Sequence, residues 1–96
     1  MRTMDKLAIH YQGAELSIEL DETEARLLIN GLVRQRSPVS KVLLLSSTVQ
    51  TDYEWHEYIE GIITNHSSGT KMVLFANNVQ IAEKKFTYSP QRDTLR

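Results

Sequence analysis

The stretch LAIHYQGAELSIEL, residues 7–20, constrains the fold more than any other part of the chain. Gln12 and Gly13 centre a two-residue turn between two runs that alternate apolar and polar side chains, and the glycine supplies the positive φ that such a turn needs. Pairing Tyr11 with Ala14 sets His10 opposite Glu15, Ile9 opposite Leu16, Leu7 opposite Ile18 and Lys6 opposite Glu19. Leu7, Ile9, Tyr11, Leu16, Ile18 and Leu20 then share one face, and the charged pairs share the other. A slip of one residue would turn the whole apolar face to water, so the register is strongly specified.

Downstream, Asp21 and Glu24 form the Asp-x-x-Glu pattern of a helix N-cap with its capping box. Ala25, Leu28, Ile29 and Leu32 recur at helical spacing, and Ser37-Pro38 ends the segment, which predicts a first helix reaching Arg36 with Gly31 inside it. VSKVLLLSSTV, residues 39–49, is apolar at consecutive positions and reads as an interior strand covered on both faces. Thr51 with Glu54 gives a second cap, and Trp55, Tyr58, Ile59, Ile62 and Ile63 form a second helical stripe.

KMVLFANNVQIAEKKF, residues 71–86, reads as a second hairpin about Asn77 and Asn78. A two-residue loop would set Lys71 against Lys84. A three-residue loop with Asn78 left-handed, which sets Lys71 against Glu83 and Val73 against Ile81, is preferred on charge grounds. The polar residues 89–96 read as a frayed tail.

These elements predict a single α+β domain over residues 1–96: a five-stranded mixed sheet in the order ββαβαββ, with two amphipathic helices packed on it. No internal repeat divides the chain. Two right-handed crossovers place both helices on one face if strand order follows chain order, leaving apolar residues of the middle strands uncovered. Val42, Leu44, Met72 and Leu74 are therefore the candidate interface residues.

Composition narrows the setting. The chain has no cysteine, which excludes disulfides and thiolate metal sites and suits a reducing compartment. It lacks an apolar run long enough to span a membrane, and its first residues lack a signal-peptide pattern, so a cytoplasmic location is expected. Basic and acidic residues nearly balance, 11 against 12, but residues 1–24 are acidic and residues 67–96 are basic.

One motif invites a metal. HEYIEGIITNH, His56 to His66, resembles the zinc signature of the metzincin proteases, His-Glu-x-x-His-x-x-Gly-x-x-His, at His56, Glu57 and His66. The resemblance implies a metal-dependent hydrolase with His56, Glu60 and His66 as ligands and Glu57 activating water. Glu60 stands where the family has its second histidine and Ile63 where it has its glycine, and on a helix His66 would point with the apolar stripe. Ser46–Asp52 could hold an anion between a strand end and a helix start, although Asp52 and Glu54 oppose it. Arg34, Arg36, Lys41, Lys84 and Lys85 could line phosphates, without interleaved aromatic residues.

The leading expectation is a non-catalytic protein-interaction module, a small cytoplasmic regulator, inhibitor or assembly factor that forms a homodimer and uses no cofactor. The alternatives are a nucleic-acid-binding protein using the basic C-terminal hairpin and tail, and the metal-dependent hydrolase.

Overall fold

A computed structural model of the protein describes residues 4–50 and 56–87. They form eight strands and no helix: β1 (Asp5–Tyr11), β2 (Ala14–Leu20), β3 (Glu24–Ile29), β4 (Leu32–Pro38), β5 (Val42–Gln50), β6 (His56–His66), β7 (Gly69–Ala76) and β8 (Val79–Thr87). β1 to β4 make one antiparallel sheet in chain order and β5 to β8 make another. The α+β expectation, with two helices and parallel central strands, is thus overturned in favour of an all-β sandwich.

The first hairpin keeps the expected register, from Lys6 opposite Glu19 to Tyr11 opposite Ala14. Its turn is left-handed at both Gln12 and Gly13, the twist that matches paired strands. The first predicted helix is instead β3 and β4, joined at Asn30-Gly31 by a second turn of that kind. Ala25, Leu27 and Ile29 alternate into the core, whereas Leu32, placed by helical spacing in the stripe, is 68% exposed.

The cap at Asp21 is real but serves a strand. Asp21 Oδ1 accepts hydrogen bonds from the Thr23 and Glu24 backbone N–H groups at 2.8 and 2.9 Å, the contacts of a helix N-cap, and here they close the turn from β2 to β3. Glu24 does not reach back to complete a capping box; its backbone carbonyl accepts from the Asp21 N–H and its carboxylate turns to arginines.

The second predicted helix is likewise strand β6, along which Ile59, Gly61 and Ile63 point inward. Its proposed cap, Thr51 with Glu54, and Trp55 lie outside the described residues, as does the tail 89–96. β5 is covered on one face only: Leu43 and Leu45 are buried, but Val42 and Leu44 are 62% and 56% exposed. In the last hairpin neither expected register holds throughout. Asn77 and Asn78 make a two-residue left-handed turn, and an irregularity at Leu74/Phe75 then sets Lys71 opposite Lys85.

The two sheets are the same meander built twice, although the amino-acid sequence shows no repeat. Asn30 donates its N–H to the Glu15 carbonyl and accepts from the Glu15 N–H through its side chain; Asn77 does the same with Tyr58. The β3/β4 and β7/β8 ladders each shift register at the equivalent place, Leu27/Leu28 and Leu74/Phe75. The pairings Leu16–Ile29 and Ile59–Ala76 fix the correspondence, which makes Ile18 of β2 and Gly61 of β6 equivalent.

These two equivalent positions meet. A Cβ on Gly61 would lie 2.7 Å from Ile18 Cγ2, so the middle strands of the two sheets touch about a pseudo-two-fold where one side is branched and the other has no side chain. At the flanks β4 runs beside β5 and β8 approaches β1.

Gly61→Ala should therefore destabilise the fold by about 1–3 kcal/mol through overpacking against a stiff β-branched neighbour. In a urea-denaturation cycle with Ile18→Ala, the two changes should couple by on the order of 1 kcal/mol, the double variant losing less than the sum. Simple additivity would mean that the sheets do not meet there.

Candidate interaction face

The pseudo-two-fold gives each outward row of the first sheet a counterpart in the second. Lys6, Glu19, Arg26 and Arg36 lie side by side across β1 to β4. Leu44, Ile62, Val73 and Glu83 occupy the equivalent places across β5 to β8. One scaffold thus carries two different finishes.

On the first sheet the finish is ionic. The Arg26 guanidinium, largely screened from solvent, reaches Glu24 at 2.6 Å, Asp21 at 3.0 Å and Glu19 at 3.2 Å. Arg36 reaches Glu24 at 2.7 Å, and Lys6 lies 3.8 Å from Glu19. The hydrogen bond from Arg26 holds the Glu24 carboxyl below its usual range, with Arg36 adding to the effect. The Asp21 carboxyl is held lower still, chiefly by the Glu24 and Thr23 backbone N–H groups. Arg26 is in turn made a weaker acid, first by Glu24.

On the second sheet the finish is apolar. Val42 and Leu44 of β5 are exposed, Ile62 of β6 and Phe75 of β7 are half-buried, and Val73 of β7, between Ile62 and Glu83, is buried. Glu60 borders this strip on one side, while Lys71 and Lys85 border it on the other. The pair Glu24–Arg36 of the first sheet reappears there with its signs exchanged, as Lys71–Glu83 at 3.2 Å.

Two of the four expected interface residues, Val42 and Leu44, belong to this strip. Met72 and Leu74 do not, because strand alternation turns both into the core, where each is fully buried. Ile62 and Phe75 escaped selection in the sequence because helical spacing placed Ile62 in a buried stripe, and only Val73 with Phe75 or Met72 with Leu74 could face out. An all-strand reading of 56–66 would have found Ile62.

The metal reading loses its geometry. On a strand, His56 and His66 are ten residues apart, roughly 33 Å at 3.3 Å per residue, and Glu60 lies between them. Among the described residues no group of three His, Cys, Asp or Glu side chains could hold a metal ion. Glu57 instead accepts hydrogen bonds from Tyr11 and Asn77, tying the first sheet to the last hairpin turn. Ser46 to Gln50 continue β5 rather than ending a strand before a helix, and Asp52 lies outside the described residues.

The basic candidates are dispersed. Arg36 serves Glu24, and Arg34 donates to the Thr48 carbonyl at 3.3 Å beside the Ser46 N–H, which donates to Gln35. These contacts stitch β4 to β5 with side chains in place of a ladder. Lys41 precedes β5, and Lys84 and Lys85 point to opposite faces of β8, Lys84 lying 5.1 Å from the Phe86 ring centre.

The class that fold and face define is a two-sheet antiparallel sandwich with an ionic row across one outer face and an apolar row across the other. No family model matches the chain, and no curated protein and no solved structure matches it either. Among the described residues no helix is long and apolar enough to cross a membrane.

Because Asp21 and Glu24 bind protons more weakly folded than unfolded, their contribution is complete at neutral pH. It is lost as pH falls below about 4, the unfolded carboxyl range. The urea midpoint should fall between pH 6 and pH 3, and Asp21→Asn, which keeps an acceptor for the turn, should flatten that fall. An unchanged slope in Asp21→Asn would remove the Asp21 turn from the acid response.

Proposed function

We propose that the protein is a non-catalytic interaction module that pairs with a second copy of itself through the outer face of β5 to β7. The observation that carries this reading is the row Leu44–Ile62–Val73 set against its twin, Lys6–Glu19–Arg26. The same backbone accepts an ionic finish in the first sheet, so the fold itself does not require apolar side chains in the second. Exposed apolar strips with charged borders are the usual mark of a protein contact.

A second copy suits the charges. A two-fold lying in the face along the apolar row sets the Glu60 border of one copy against the Lys71 and Lys85 border of the other, on both sides at once. A cytoplasmic regulator, inhibitor or assembly factor is the role that fits a small module of this kind. The cysteine-free chain suits that reducing compartment.

The test transplants the twin row. Light scattering across a dilution series should give a dimer for the native chain and a monomer for Leu44→Lys/Ile62→Glu, with unchanged far-ultraviolet circular dichroism in both. A native chain that stays monomeric throughout, or a variant that stays dimeric, overturns the proposal.

A further inference from the structure

Beside the apolar strip, where β6 turns into β7, the outer face of the second sheet opens into a pocket of about 300 Å³. Its lining is His66, Ser68, Gly69, Thr70, Lys71, Lys85, Phe86 and Thr87. The ladder explains the shape. His66, Gly69 and Thr87 form one row and Thr64, Lys71 and Lys85 the next, so the side-chain-free Gly69 lies as a buried floor between exposed walls. No side chain can fill that floor, because a Cβ on Gly69 would lie 2.1 Å from the Phe86 carbonyl oxygen.

The charges at this pocket are out of balance. Lys71 and Lys85 stand directly opposite each other on β7 and β8, an arrangement that costs stability in a bare ladder. Glu83 reaches Lys71, yet among the described residues the pocket lining contains no carboxylate. At the equivalent place in the first sheet the partners are Glu24 and Pro38, so the paired lysines are not a requirement of the meander. Ammonium groups, a histidine, and the hydroxyls of Ser68 and Thr87 converge on a glycine floor. That is the donor set for a tetrahedral oxyanion.

We propose that this pocket binds a small phosphate-bearing molecule, with Lys85 and Lys71 neutralising the phosphate and the Ser68 and Thr87 hydroxyls donating to its oxygens. The site shares Lys71 and Lys85 with the border of the apolar strip, so phosphate and the Glu60 border of a second copy compete for the same two ammonium groups. Lys84 turns away from it, and Arg34 and Arg36 are engaged by Thr48 and Glu24, so a confined ligand fits better than a long nucleic-acid strand.

Titrating inorganic phosphate into the isotope-labelled protein, read by amide chemical shifts, tests the site. Saturable shifts should centre on Ser68, Gly69, Thr70 and Lys85; Lys85→Ala should weaken binding at least about tenfold, and Lys84→Ala should leave it unchanged. Lys85→Glu should abolish binding and, by relieving the repulsion with Lys71, raise the melting temperature in phosphate-free buffer, which separates a lost site from a lost fold. Shifts that do not saturate, or binding that survives Lys85→Ala, overturns the proposal. So does a single-stranded oligonucleotide that binds more tightly than phosphate and weakens equally in Lys84→Ala and Lys85→Ala.

Discussion

The sandwich turns on one close approach, Ile18 of β2 against Gly61 of β6. Two equivalent positions on a pseudo-two-fold cannot both carry a bulky side chain when their strands cross this closely. The chain resolves the conflict with one branched residue and one glycine. On either side the pattern relaxes to ordinary apolar packing, with Leu16, Leu20, Ile59 and Ile63 all buried. The depth of the core, and with it which side chains of β2 and β6 are inside or outside, follows from that central contact.

The same glycine obscured the fold in the sequence. Along β6 the inward positions are Ile59, Gly61 and Ile63, so the two-residue period has a gap at its centre. Ile62, apolar but outward, fills helical spacing in its place. In β3 the outward Leu28 has a similar effect, completing Ala25, Leu28, Ile29 and Leu32 as a false stripe. Asp21 misled for a different reason: a carboxylate accepting two successive backbone N–H groups starts a helix or closes a turn with the same local bonds. Asn30-Gly31, flanked by alternating residues, was the legible signal for a hairpin, and it outweighs a single i, i+4 coincidence. The first hairpin was legible in full because its turn and both its faces agreed. Of the apolar row, the exposed pair Val42 and Leu44 was visible in the run VLLLSS; which residues of β7 join them depended on the β6–β7 register, hidden once 56–66 is read as a helix.

Because the halves share a backbone plan, each serves as an internal control for the other. Where the first sheet uses Arg26 to gather Glu19, Asp21 and Glu24, the second carries Val73, and where it pairs Glu24 with Arg36 the second reverses the signs. Differences at matched positions cannot be ascribed to strand order or pairing, which correspond in the two sheets. They mark where the two outer faces differ in chemistry: an ionic row across the first sheet and an apolar row across the second.

The seam between β4 and β5 bears on how large an assembly can grow. Gln35 takes the Ser46 N–H and Arg34 takes the Thr48 carbonyl, so those backbone groups of β5 are already engaged by side chains within the chain. Joining by an added strand is head to tail and open-ended, and every unit that joins presents a fresh margin for the next. Contact through a face about a two-fold is complete after two. By engaging this margin of β5 with its own side chains, the chain withholds the Ser46 N–H and the Thr48 carbonyl from any added strand.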